Sequence, residues 1–177
     1  MLTLEARNSL LLLIDFQSKL MPAIDQSGAV VANARRLTVA AGLLDVPMLF
    51  TEQNAAKLGA TVPELAPDPS LVVAKMSFDA TRAPGLVERL GAGRSILLAG
   101  CEAHVCILQT ALGLIENGFR TFVVADAVGS RRAESKQAAL RRMERRGVEI
   151  VTTEMALFEW LGTAEHPRFR EIVALIK

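Results

Sequence analysis

Apolar residues gather in six short runs along the chain, at 10–14, 46–50, 71–74, 95–99, 121–125 and 148–152. Their near-continuous hydrophobicity, without strict alternation of polar residues, predicts strands covered on both faces, as in a parallel sheet. Between them the apolar spacing becomes helical, over 30–41, 105–116 and 134–146. Asn117-Gly118 and Arg146-Gly147 read as helix stops ahead of the next strand. Alternating β and α units of this size predict an α/β fold: a three-layer, doubly wound sandwich around a six-stranded, mostly parallel sheet with right-handed crossovers. The segment 51–70 carries Pro63, Pro67 and Pro69 and reads as a long loop with one helical turn, suited to a pocket wall or lid.

In open sheets of this kind ligands bind beyond the carboxyl ends of the strands, where the strand order reverses. That rule sorts the polar residues. Asp15 follows the first run, Lys75 follows the third, and Cys106 lies just beyond the fourth, at a strand-to-helix turn. A helix N-terminus offers unpaired N–H groups and partial positive charge, which favour a thiolate and later an oxyanion. Asp15 is placed to take the thiol proton, and Lys75 to hold Asp15 and add positive potential. The plainer readings are a buried, inert cysteine and a structural ion pair at the strand ends. Phe16 and Phe78 each follow or trail one of these residues, as pocket walls or as core, and Glu52, Gln53 and Asn54 stand where polar substrate contacts would be. His104 lies two positions before Cys106; residues i and i+2 of a helix point to different faces, so it reads as a pocket-rim or interface residue.

Composition narrows the partners. With 177 residues the chain is the length of one domain, and 20 basic against 19 acidic residues leave a net charge of +1. No global field favours nucleic acid or an anionic membrane, so a small-molecule substrate is expected. The basic segment Arg131, Arg132, Lys136, Arg141, Arg142, Arg145 and Arg146 is interleaved with acids and lacks aromatics, which reads as a solvated helix face or an oligomer contact. The N-terminus shows neither a basic leader nor a cleavage site, and a cytoplasmic location is expected. Cys101 and Cys106 match no redox or zinc spacing, and only His104 and His166 are present, so neither a metal nor another cofactor is expected.

Four segments together resemble the isochorismatase-like cysteine hydrolases, a family that includes nicotinamidases and N-carbamoylsarcosine amidohydrolases. They are Leu13-Ile14-Asp15-Phe16-Gln17, Lys75-x-x-Phe78, Gly100-x-Glu102-Ala103-His104-x-Cys106 and Val124-x-Asp126-Ala127. The resemblance implies a Rossmann-like fold and an Asp-Lys-Cys triad at Asp15, Lys75 and Cys106. It further implies a cis peptide at Cys101–Glu102 and an oxyanion hole from the backbone N–H groups of Glu102 and Cys106. The histidines of the metal-binding nicotinamidases have no counterpart in 51–59, and Thr51-Glu52-Gln53 and Glu102-Ala103-His104 look more like the compact subgroup of isochorismatase-domain-containing and YcaC-like proteins, commonly homo-oligomers. The expected activity is hydrolysis of a small amide, imide or related C–N substrate through a thioester. Vinyl-ether hydrolysis, a non-catalytic binding or scaffolding protein on the same fold, and a Cys101/Cys106 redox sensor are the alternatives.

Overall fold

A computed structural model describes residues 2–177. Six strands, β1 (Ser9–Ile14), β2 (Met48–Gln53), β3 (Val72–Lys75), β4 (Ser95–Cys101), β5 (Arg120–Gly129) and β6 (Glu149–Val151), lie side by side in the order β3-β2-β1-β4-β5-β6. Every neighbouring pair is parallel, so the sheet is wholly rather than mostly parallel. The helices are α1 (Ser27–Leu43), α2 (Ala55–Leu58), α3 (Leu86–Leu90), α4 (Leu108–Glu116), α5 (Ala133–Glu144), α6 (Thr153–Leu161) and α7 (Phe169–Ala174).

The unbroken apolar runs follow from burial on both faces, because successive strand residues point to opposite sides. Leu11 and Leu13 of β1 join Leu97 and Phe122 in a core against α1, α6 and α7, with Leu37, Leu157, Trp160 and Ile172. Leu10, Leu12 and Ile14 join Ile96 and Leu98 in a second core against α3, α4 and α5, with Leu86, Leu114 and Met143. Trp160 is seated by donating from Nε1 to Ser9 Oγ at 3.1 Å, which ties the last third of the chain to the first strand. No helix among the described residues is long and apolar enough to cross a membrane.

The chain builds outward from β1 through β2 to β3, then returns to the other side of β1 with β4. The reversal therefore falls between β1 and β4, and their carboxyl ends splay apart there. The two strands stay close up to that point: Ile14 pairs with Gly100, and a Cβ at Gly100 would collide with the Ile14 carbonyl. Gly100 also has φ 135°, a backbone region that other residues rarely enter. Most strand boundaries shift by one to four residues from the sequence expectation, and two shifts bear on the site. β2 continues through Thr51-Glu52-Gln53, so the irregular segment starts later, and β5 runs to Gly129. The helix expected from Val105 opens instead as a π-type turn, Ala103–Ile107, before α4.

Gly100→Ala is expected to destabilise the protein by about 3 kcal/mol or more, since backbone on both sides must move. Urea unfolding with far-UV circular dichroism measures this; a variant within about 0.5 kcal/mol of the parent contradicts the packing described.

Candidate active site

Three strand ends deliver the polar groups. Asp15 follows β1 with φ 53°, a left-handed conformation that interrupts the strand alternation and turns its carboxylate along the sheet edge. Lys75, the last residue of β3, reaches across β2 to place Nζ 2.6 Å from Asp15 Oδ2, and both side chains are 0% exposed. From β2, between them, Thr51 donates its hydroxyl to Asp15 Oδ1 at 2.7 Å. Lys75 Nζ also donates to the Ser77 carbonyl at 3.1 Å. Both carboxylate oxygens thus have partners, which a buried charge requires.

Cys106 enters from the turn after β4, and its side chain interacts with Asp15. Its Sγ lies 3.5 Å from Gln53 Oε1, while the other end of that amide donates to the Met76 carbonyl at 3.2 Å. Gln53 is itself held by Gln17, which is fully buried: Gln17 Oε1 accepts the Gln53 backbone N–H at 2.9 Å, and Nε2 donates to the Gln53 and Gly59 carbonyls. The peptide Cys101–Glu102 is cis, and the Glu102 backbone N–H faces the Cys106 sulfur. The Glu102 carboxylate accepts from Arg131 through the backbone N–H at 3.0 Å and Nε at 3.1 Å.

Burial sets the electrostatics. Desolvation is the largest influence on Asp15 and carries its pKa above the usual carboxylate value, although Lys75 and Thr51 both pull it down. The Cys106 thiol is pushed up to about 12 by burial first and by the Asp15 charge second, with Lys75 and the Glu102 N–H opposing. Sequence considerations favour a thiolate at a helix N-terminus beside a lysine; in the structure burial and a facing carboxylate outweigh both. A thiol pKa of about 12 favours the neutral thiol beside the Asp15–Lys75 ion pair.

A family model for the isochorismatase domain matches residues 9–155. The chain belongs to the isochorismatase family. Among relatives of this isochorismatase-family chain, isochorismatase domain-containing protein 2 of Danio rerio is 39% identical over 175 residues, spanning 98% of this chain and 89% of the relative. The structure of MAR1 ribonuclease from Caenorhabditis elegans matches with a TM-score of 0.93 at 34% identity, over 98% of this chain and 92% of that one. The YcaC gene product of Escherichia coli, described as an octameric hydrolase of unknown specificity, matches with a TM-score of 0.88 at 25% identity, over 99% and 88% of the two chains.

Of the remaining residues singled out in the sequence, the isochorismatase fold brings some to the thiol and turns others away. Gln53 is in contact. Phe16 is not a pocket wall: the backbone reversal at Asp15 carries it into the core against α1, 1% exposed, whereas Cys106 belongs to the core on the other face. Phe78 is half exposed and packs in neither core. The ring of His104 turns toward β5, with Nδ1 3.0 Å from Ser130 Oγ, and makes no bond to Asp15, Lys75 or Cys106. Lys75 also lines a 550 Å³ cavity with Glu52, Asn54, Met76 and Arg82. Thr51 as a partner of Asp15 and Gln17 as the clamp on Gln53 are additions from the structure; the one signal for Gln17 is a polar amide directly after the apolar Phe16 of the first motif. Among the described residues no three His, Cys, Asp or Glu side chains converge as metal ligands would.

Lys75→Met leaves the Asp15 carboxylate buried without its cation, at an expected cost of ~3–5 kcal/mol in urea unfolding. Because Lys75 lowers and Asp15 raises the Cys106 pKa, the pH midpoint of iodoacetamide labelling moves up in Lys75→Met and down in Asp15→Asn. Shifts of the same sign in both variants contradict the charge arrangement.

Proposed function

We propose that this chain is a cysteine hydrolase of a small amide, imide or related C–N substrate, with Asp15, Lys75 and Cys106 as its triad. The observation that supports the reading is the buried carboxylate facing the Cys106 thiol while locked to Lys75 at 2.6 Å and to Thr51 at 2.7 Å. A raised carboxylate pKa makes Asp15 a stronger base than a free aspartate.

In the proposed cycle Asp15 accepts the thiol proton as sulfur attacks the substrate carbonyl, so no free thiolate accumulates. Charge develops on the carbonyl oxygen, where the backbone N–H groups of Glu102 and Cys106 stabilise it. Asp15 returns the proton to the nitrogen, the C–N bond breaks, and the amine leaves a thioester on Cys106. Water then gives a proton to Asp15 and attacks the thioester; collapse releases the acid and restores the thiol. Lys75 neither gives nor takes a proton in the cycle; it positions Asp15. Gln53 contacts the thiol and is the polar residue assigned to the substrate; Phe78, exposed beside the strand end, is the apolar one. The octameric state described for the related YcaC product supports a homo-oligomer here too, which light scattering measures.

The reading is tested by acid-quenching the protein with a panel of small primary amides and imides and weighing it intact. Acyl adducts on Cys106 and product release are expected in the parent, no adduct in Cys106→Ala, and a 10²–10⁴-fold lower rate in Asp15→Asn. Turnover that survives Cys106→Ala points to vinyl-ether chemistry, and cleavage of RNA with no amide product to the activity for which the Caenorhabditis elegans neighbour is named; either overturns the proposal. In pH–rate profiles the acid limb lies above the ordinary carboxylate value because Asp15 must be ionised and its pKa is raised. No alkaline limb falls near 9.0, because the reacting form holds its thiol proton to about 12.

A further inference from the structure

The turn that carries Cys106 has a second side. Cys106 faces Asp15 and Gln53, whereas His104 turns to the carboxyl end of β5, and there His104, Arg131, Arg132 and Ser135 line a cavity of 440 Å³. Every lining side chain is polar or cationic, and two are guanidiniums, whose planar donor forks suit oxyanions and whose charge persists at any accessible pH. Arg131 is partly committed through Nε to Glu102 yet its side chain is 62% exposed. Arg132 forms no ion pair among the described residues, although Glu134 lies two positions further on. The Ser135 hydroxyl supplies a further donor.

We infer that this cavity binds a small oxyanion of the phosphate or carboxylate class and that its occupancy is coupled to Cys106 through Glu102. An anion attracting the Arg131 guanidinium competes with the Glu102 carboxylate for it. Glu102 is the hinge of the nucleophile turn: its backbone N–H faces the Cys106 sulfur, and its carbonyl accepts the N–H groups of Val105 at 3.0 Å and Ile107 at 3.2 Å. Loosening the carboxylate therefore moves the backbone that meets the sulfur. Coupling of this kind is reciprocal, so anion affinity and thiol reactivity change together. The cavity exceeds a phosphate ion in size, so a free anion and an anionic group on a larger molecule both fit.

The test uses the whole protein at low ionic strength, titrated calorimetrically with inorganic phosphate, methyl phosphate and acetate, with the Cys106 labelling rate followed across the same phosphate concentrations. One saturable site is expected, weakened at least tenfold in Arg132→Gln, with the labelling rate changing along the same isotherm. Tighter binding of methyl phosphate than phosphate identifies a ligand-borne group, and the converse a free ion. Non-saturable binding, or equal binding in Arg132→Gln, overturns the site; saturable binding with unchanged labelling overturns the coupling. Neither readout requires turnover, so the outcome is independent of the proposed hydrolase activity.

Discussion

The site depends on one ion pair. Asp15 and Lys75 meet at 2.6 Å with both side chains fully buried, at the carboxyl ends of strands separated by β2. Taking two charges out of water is costly, and the cost is offset only by close geometry and satisfaction of the remaining lone pairs and protons. Thr51 supplies the hydroxyl for the second carboxylate oxygen and the Ser77 carbonyl takes one Lys75 proton. The pair also ties the sheet edge together, since Asp15 donates its backbone N–H to Thr51 and Asn54 donates its own to Lys75.

Burial first, and that pair second, set the state of the thiol. A lysine alone beside a cysteine would favour thiolate, but here its charge is largely met by Asp15, and the negative end of the pair faces the sulfur. Burial acts in the same direction. The resulting arrangement favours a protonated thiol beside the carboxylate, and in the proposed cycle activation occurs only as the proton moves.

The sheet was legible because parallel strands buried on both faces leave apolar runs that few other elements produce, and the leucines at 10–13 divide between the two cores by simple alternation. Asp15, Lys75 and Cys106 were legible because the strand-end rule puts them on one edge. Phe16 was not, because a positive φ at Asp15 reverses the alternation, and backbone sign at an aspartate leaves no mark in hydropathy. Thr51 and Gln53 read as the start of a loop because they are polar; they remain in β2 because pairing with Val73 and Lys75 and the Gln17 clamp satisfy them. The helix start that favours a thiolate is visible in sequence, whereas the depth of burial that raises the thiol pKa is not.

The protonation state of Cys106 is the central claim, and the infrared S–H stretch reports it directly. In the difference spectrum between the parent and Cys106→Ala, the account predicts an S–H band that persists from neutral pH to about pH 10, below the pKa of about 12 to which burial and Asp15 push the thiol. Absence of that band at neutral pH in the folded protein would show a resting thiolate paired with Lys75, and would contradict the role given to Asp15.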